Sequence, residues 1–160
     1  MKKMPGIGAH PRGIHHWWAK RPHVACRSIL FAQLVDDPSS HPDKFPTPET
    51  QHDERERLFR IIEKLADWKN SQNEELFTEA HKEILRSCDG VLPNVYDPFA
   101  GGFSIPAEAQ RFGLPAFGSD LNPVAVMIGK AMIEIPPKFK DQIPIHPGGL
   151  KSLITETPKG

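Results

Sequence analysis

Several features that would assign this sequence to a class at once are scarce or missing. Its 160 residues contain only two cysteines, Cys26 and Cys88, which lie far apart and belong to no CxxC or Cys/His pair. This excludes the usual zinc-site spacing and favours reduced thiols in the core of a cytoplasmic protein. No apolar run approaches the roughly 18 residues of a membrane span, and none follows Lys2 and Lys3 as in a signal peptide. We therefore expect a cytoplasmic protein with no metal site and no membrane contact.

An excess of charge of either sign is also missing. The chain has 20 basic and 20 acidic residues, so it lacks the overall positive field of an autonomous nucleic-acid-binding domain. Any contact with DNA must be local or must come through another chain. The length corresponds to about one domain with a sizeable core.

The N-terminal region begins with a stretch rich in glycine and proline, residues 1–14, which predicts a flexible arm. Next comes HHWWAKRP, residues 15–22, in which imidazoles, indoles and cations are clustered. Pro22 suits the first turn of a helix, and the apolar spacing over residues 23–35 predicts a core helix behind it.

Two amphipathic helices are predicted after a long loop. The prolines of Asp36 to His52 predict the loop, and the apolar stripe of residues 53–69 predicts the first helix. Ser71 and Glu74 have capping-box spacing for the second helix, which ends near Gly90. We expect these two helices to pack as a hairpin.

The periodicity then changes to that of a βαβ unit. Strands are predicted over Asn94 to Asp97 and Ala116 to Asp120, with a helix over Ser104 to Phe112 between them. Asn122 and Pro123 form an N-cap and a first-turn proline for a further helix that is apolar nearly all round and therefore buried.

These patterns divide the chain into a flexible arm (1–14), a helical region (15–92), a βαβα unit (93–134) and a Pro-rich tail (135–160). The fold class predicted is α/β, with an incomplete Rossmann-like sheet behind an N-terminal helical region. An unfinished sheet leaves an open edge and apolar helix faces, so we expect the chain to self-associate.

The stretch YDPFAGGFSIPAEAQRFGLPAFGSDLNP, residues 96–123, carries the chemistry. A strand that runs into a glycine turn and a helix lets backbone N–H groups approach a ligand, and an acid at the end of the next strand can accept the hydroxyls of a ribose. The pattern lacks GxGxxG and GK[ST], so neither a dinucleotide fold nor a P-loop is indicated. An ordinary βαβ turn without a ligand is the alternative.

DPFAGG together with GSDLNP resembles the S-adenosylmethionine site of DNA amino-methyltransferases, whose first motif is DPFxGxG. HHWWAKRPHVACRSILFAQLVDDP, ERERLFRIIEKLADW and NPVAVMIGKAMIEIPPKF extend the resemblance, over roughly residues 14 to 140, to the N-terminal part of the adenine-specific DNA methylases of the DUF1156 group. The resemblance implies S-adenosylmethionine as cofactor and a Rossmann-like fold.

The resemblance also implies where the cofactor lies. The turn would lie beside the methionine part, Asp120 would hold the ribose hydroxyls, and Leu121 would cover the adenine. The segment 15–22 would close over the carboxylate, with Trp17 or Trp18 stacking on or shielding the site, unless its aromatics only anchor a helix. The implied cofactor-binding residues are Asp97, Pro98, Phe99, Ala100, Gly101, Gly102, Asp120, Leu121, Asn122, Trp18, Lys20 and Arg21.

The sequence departs from that family in two ways. Phe103 replaces the last glycine of DPFxGxG, which would crowd the ligand or fill its pocket. The catalytic motif [DNS]PP[YFW], which holds the flipped base, is missing, and so are the cysteines of the zinc ribbon. The sequence therefore predicts no catalytic residue on this chain.

The sequence predicts instead the cofactor-binding part of a split or longer adenine methyltransferase, which would reach DNA through its partner. The alternatives are a non-catalytic or degenerate subunit that acts in protein or DNA interaction, and a part of an RNA or protein methyltransferase.

Overall fold

Helices make up most of the structure, a computed structural model that describes residues 15–142. The helices are α1 (His23–Leu34), α2 (Pro48–Ala66), α3 (Glu74–Ser87), α4 (Ser104–Arg111), α5 (Pro123–Gly129) and α6 (Ile135–Phe139). The strands β1 (Val95–Asp97) and β2 (Ala116–Gly118) pair in parallel, with Tyr96 opposite Phe117. The chain is thus α/β-like, and within the described residues the sheet has two strands. The predicted arm (1–14) and the tail beyond residue 142 lie outside the described residues.

The loop after α1 is shorter than the sequence predicted. Helix α2 begins at Pro48 and not after His52, because Thr47 caps it. The Thr47 hydroxyl accepts a hydrogen bond from the Thr50 N–H at 3.3 Å, and the Thr50 hydroxyl accepts one from the Thr47 N–H at 3.2 Å. A proline at the first helical position loses no hydrogen bond. Pro48 therefore starts a helix where the sequence suggested a loop.

Helix α3 is capped by Asn73, and the predicted capping box of Ser71 and Glu74 is wrong. The Asn73 side chain accepts a hydrogen bond from the Leu76 N–H at 3.1 Å. Ser71 lies in a short 3₁₀ turn, Trp68–Gln72, where its hydroxyl accepts from Arg27 at 3.0 Å. The helix ends at Ser87, slightly before the predicted end near Gly90.

One apolar core joins the first four helices. Its members come from α1, α2, α3 and the C-terminal end of α4: Phe31, Leu58, Ile61, Leu65, Leu76, Phe77, Ala80, Ile84, Ala109, Phe112 and Leu114. Burying a large apolar side chain stabilises a fold by about 1.5–3 kcal/mol. Val95 and Ala116 of the two strands pack against this core, which fixes the inner face of the sheet.

A buried arginine ties α1 to the end of α2. Arg27 is 0% exposed. Its guanidinium donates to the carbonyl of Leu65, to the carbonyl of Asp67 at 2.9 Å and to the Ser71 hydroxyl at 3.0 Å. The last carbonyls of a helix have no partner within the helix. Arg27 supplies those partners from inside the core.

A buried glutamate ties α1 to α4 in the same region. Glu108 accepts from His23 Nδ1 at 2.8 Å and from Arg111 at 3.2 Å, and it lies 4.0 Å from Arg27. We call His23, Arg27, Glu108 and Arg111 the polar cluster. Breaking a buried ion pair by removing one partner costs about 3–5 kcal/mol, because the remaining charge stays buried.

A second set of charges, the charged ring, links α2 to α3 nearer the surface. Arg57 lies 2.8 Å from Glu54 and 2.9 Å from Glu83, and Arg86 lies 3.0 Å and 2.6 Å from the same two carboxylates. The hydrogen bond from Arg57, reinforced by Arg86, lowers the pKa of Glu54 to about 2 despite partial burial. The ring therefore holds Glu54 ionised.

Helix α5 is buried on one face only, so the prediction of burial all round is wrong. Ala125 and Ile128 are buried, whereas Met127 is 67% exposed and Val124 is 42% exposed. No helix within residues 15–142 is both long enough and apolar enough to cross a membrane.

The helical path continues beyond α5 into the region predicted as a Pro-rich tail. A π-helical turn, Lys130–Glu134, leads into α6, and the Ile135 N–H bonds back to the Lys130 carbonyl. Pro137 has no N–H to give to the Ile133 carbonyl, and the Gln110 side chain donates to that carbonyl at 2.9 Å instead. Gln110 thus holds the turn against α4.

Candidate functional site

The two parallel strands bring Asp97 and Asp120 to the same edge of the sheet. Asp97 is the last residue of β1, and Asp120 follows β2 by two positions. The Ser119 N–H donates to the Asp97 carbonyl at 2.9 Å, and the Ala100 N–H donates to the Ser119 carbonyl at 3.0 Å. Parallel strands end at a common edge, which is where open α/β sheets bind ligands. The sequence predicted both strands, and β2 ends at Gly118, two residues before its predicted end at Asp120.

The segment 98–103, which we call the glycine turn, is bonded to the Asp120 carboxylate. The Gly101 N–H donates to Asp120 Oδ2 and the Asn122 N–H to Asp120 Oδ1, both at 2.8 Å. The hydrogen bond from Asn122, followed by that from Gly101, lowers the pKa of Asp120. A carboxylate has about four lone-pair sites, so each oxygen keeps capacity for a further donor. Asp120 is therefore an ionised acceptor that is fixed in place and not saturated.

Asp97 has a different task, because it shapes the start of the turn. Its Oδ1 accepts a hydrogen bond from the Phe99 N–H at 3.0 Å, which is the usual Asx arrangement. Beside it, the Tyr96 hydroxyl lies 2.8 Å from the Ser119 hydroxyl and links the two strand ends. The carboxylate of Asp97 thus orders the turn that leads to Gly101.

Phe103, the last residue of the glycine turn, combines a left-handed backbone with a buried ring. Its backbone has φ +56°, in the left-handed region, and its side chain is 4% exposed. Its ring lies between β2 and α5: a Cβ added at Gly118 or Gly129 would come within 2.6 Å or 2.4 Å of it. A left-handed residue other than glycine costs about 1–2 kcal/mol, which burial of the ring offsets.

The segment 15–22, which we call the N-terminal strap, lies over the glycine turn. A Cβ on Gly101 would lie 2.9 Å from Trp17 Nε1, and one on Gly102 would lie 3.0 Å from Cγ of Lys20. The Ser104 hydroxyl donates to the Arg21 carbonyl at 2.8 Å, which attaches the strap to the start of α4. Burial lowers the pKa of Lys20. Both glycines therefore leave room for the strap.

Three large apolar side chains around this edge remain exposed to solvent. Leu121 is 99% exposed, Trp18 is 89% exposed and Phe99 is 83% exposed. Phe99 belongs to the glycine turn, Leu121 follows Asp120, and Trp18 belongs to the N-terminal strap. Exposed large apolar side chains next to a candidate site are typical of a ligand or partner surface.

The other predicted site residues lie in the glycine turn or at the start of α5. Ala100 and Gly102 are buried, and Pro98 lies exposed at the start of the turn with its carbonyl 3.3 Å from the Ser119 hydroxyl. The Asn122 side chain accepts from the Val124 N–H at 2.9 Å and so caps α5, as the sequence predicted. It is the Asn122 backbone N–H that belongs to the acid site.

The sequence reasoning missed Gly118 and Gly129, which make room for Phe103. A glycine inside a helix costs about 1 kcal/mol relative to alanine, so Gly129 was a visible signal of close packing. Trp17 was named only as one of two possible shields, and the structure places Trp17, not Trp18, against Gly101.

Comparison with known families supports the DUF1156 part of the resemblance, over a part of the chain. Residues 2–61 match the family described as "Protein of unknown function (DUF1156)". The match includes the strap, α1 and the first part of α2, and it ends before the strands and the glycine turn. No curated protein and no solved structure matches the chain.

Proposed function

We propose that this chain is the S-adenosylmethionine-binding part of an adenine-N6 DNA methyltransferase whose catalytic motif lies elsewhere. The observation that carries the proposal is the bonded pair of Gly101 and Asp120 at the carboxyl edge of two parallel strands. A glycine turn on one strand with an ordered carboxylate on the next is the arrangement that nucleoside cofactors use in α/β sheets.

The residues at this edge fit the chemistry of the proposed ligand. Asp120 keeps lone pairs for the two ribose hydroxyls, and the exposed side chain of Leu121 beside it suits a purine face. Lys20 and Arg21 of the strap suit a carboxylate. Because Trp17 lies against Gly101, a ligand that reaches this backbone must contact or displace the strap.

This chain would bind and orient the cofactor without performing the transfer. S-adenosylmethionine supplies a methyl group on a sulfonium, which makes the methyl carbon electrophilic. Capture of the flipped adenine requires the [DNS]PP[YFW] motif, which the sequence lacks. A partner that carries that motif would also supply the contact with DNA.

Calorimetric titration of the full chain with S-adenosylmethionine and with its demethylated product tests the cofactor. Saturable binding of both is expected, and Asp120→Asn should weaken it while Asp53→Asn, on exposed α2, should leave it unchanged. A folded sample that binds neither ligand up to millimolar concentration would refute the proposal.

The acceptor is tested separately by adding the partner. Methyl transfer to DNA, RNA and a glutamine-containing peptide would be compared in the presence of a protein that carries [DNS]PP[YFW]. Label in DNA is expected, and label only in RNA or peptide would replace the DNA assignment.

A second candidate, a non-catalytic subunit that acts in protein or DNA interaction, is favoured by the exposed Trp18, Phe99 and Leu121. A neighbouring reading frame that carries [DNS]PP[YFW] and CxxC pairs would favour the split enzyme. Its absence would favour the subunit.

We further propose that the chain self-associates. Tyr96 and Phe117, on the outer face of the sheet, are 61% and 55% exposed, and parallel sheets are normally covered on both faces. Light scattering should show a concentration-dependent rise in mass, and a clean monomer at high concentration would contradict this.

A further inference from the structure

The ring of Phe103 connects the glycine turn to the acid-bearing strand. The Phe103 N–H donates to the Ala100 carbonyl at 2.7 Å, which closes the turn around Gly101. Its side chain enters the space between Gly118, two residues before Asp120, and Gly129 of α5. The backbone of Phe103 is therefore part of the glycine turn, whereas its ring packs against β2 and α5.

The surroundings of the ring have the features of a built slot. Four small residues lie around it, namely Ala100, Gly118, Ala125 and Gly129, and the partly buried Trp17 and Ile133 pack against the same cluster. A methyl group on either glycine would lie 2.4–2.6 Å from a ring carbon, closer than real contacts allow. A bulky residue in a left-handed conformation persists only where its surroundings hold it. The slot holds Phe103, and Phe103 holds the end of the turn.

We infer that Phe103 is a positioning residue: its buried ring fixes the Gly101 N–H against the Asp120 carboxylate and so sets the affinity of the site without touching the ligand. This inference rests on the proposed function for its ligand, although not for its geometry. It is the opposite of the expectation that a phenylalanine in place of the last glycine of the motif obstructs the site.

The two readings predict opposite effects of Phe103→Gly on S-adenosylmethionine affinity. If the ring obstructs the site, its removal strengthens binding. If the ring positions the turn, its removal weakens binding about tenfold or more, because the preorganised donor and acceptor are released. The pKa of Asp120, measured by carboxyl NMR, should also rise toward its ordinary value as the Gly101 hydrogen bond weakens.

A second variant separates positioning from core packing. In Phe103→Gly/Gly129→Leu the leucine enters the vacated slot from α5, so thermal stability should return toward that of the wild type. The turn still lacks its anchor, so the affinity and the Asp120 pKa should remain those of Phe103→Gly. Recovery of affinity together with stability would show a merely structural role and overturn the inference.

A third variant covers the case in which Phe103→Gly does not fold. Phe103→Leu keeps an apolar anchor on the turn, so its affinity for S-adenosylmethionine should lie within a few-fold of that of the wild type. The double variant should bind S-adenosylmethionine about tenfold more weakly than the wild type. Equal binding by these two would overturn the inference.

The ligand-free measurement keeps this test independent of the proposed function. If the wild type does not bind S-adenosylmethionine, the proposed function fails, and the Asp120 pKa alone decides the role of Phe103. A rise in Phe103→Gly that the added leucine does not reverse supports positioning. An unchanged pKa refutes it.

Discussion

The charged groups buried between the helices and those at the carboxyl edge of the strands are bonded to different partners. Between α1 and its neighbours, Arg27 and Glu108 are buried and bonded to other side chains and to helix-end carbonyls. At the strand edge, Asp97 and Asp120 accept from backbone N–H groups, and the side chains of Phe99 and Leu121 close to them in the sequence are exposed. The first set of charges builds the fold, and the second set is left with bonding capacity to use.

This contrast predicts that substitutions in the two regions separate stability from binding. Charge removal in the polar cluster should lower the free energy of unfolding strongly, whereas charge removal at the strand edge should change it little and alter the ligand affinity. Four experiments can break or sharpen the contrast.

The largest effect is expected from Arg27→Met. It removes the donors of three hydrogen bonds, one of them to the buried Leu65 carbonyl, and it leaves Glu108 buried without the nearby positive charge of Arg27, so the free energy of unfolding should fall by about 3–5 kcal/mol. Urea denaturation measures it, with Arg60→Met on the exposed face of α2 as control. A loss no larger than that of the control would show that the cluster is not structural.

Asp120→Asn should lower the ligand affinity strongly and the free energy of unfolding only slightly. The ligand loses a charged acceptor, so S-adenosylmethionine affinity should fall by about 10- to 100-fold, equivalent to about 1.4–2.7 kcal/mol. The free energy of unfolding should change by about 1 kcal/mol or less, since the amide oxygen still accepts one N–H. Calorimetry and denaturation on the same sample compare the two. Global unfolding of this variant would break the contrast.

The charged ring should make the free energy of unfolding depend on pH in the acid range. Because the folded-state pKa of Glu54 is lowered from 4.5 to about 2, its contribution is present above pH 4.5 and lost as the pH falls toward 2. Glu54→Gln should cost about 1–2 kcal/mol at pH 7 and much less at pH 2. Melting temperatures across this range measure the difference, and Glu56→Gln, on the exposed part of α2, is the control. Parallel pH curves for Glu54→Gln and the wild type would count against the ring.

The smallest effect is expected from Gln110→Ala. The Ile133 carbonyl loses its only side-chain donor among the described residues, which should cost about 0.5–1.5 kcal/mol. Hydrogen exchange should accelerate in residues 130–139 and not in α2. Uniform acceleration along the chain would show that Gln110 does more than hold the π-helical turn.

Local patterns in the sequence predicted the helices and strands well. They predicted contacts between residues far apart in the sequence poorly. Asn122–Pro123 was recognised as an N-cap followed by a first-turn proline, and Thr47–Pro48 is the same signal concealed among the prolines of a loop. The strand–turn–strand order was enough to place Asp97 and Asp120 on one edge, because parallel pairing fixes where strands end.

The polar cluster could not be read from the sequence. Glu108 and His23 are separated by 85 positions, and neither stands in a local pattern that marks a buried charge. The burial of the Phe103 ring could not be predicted either, because the slot it occupies depends on the lack of side chains at Gly118 and Gly129, which are distant from it in the sequence.

That slot carries a consequence for the evolution of the chain. In relatives with a glycine at the position of Phe103, the ring would no longer restrict the positions of Gly118 and Gly129 to glycine, and larger residues could accumulate there, most freely at Gly129 because Ala100 also lies close to Gly118. The three positions should therefore vary as a set, and a phenylalanine at the first should coincide with the two small residues.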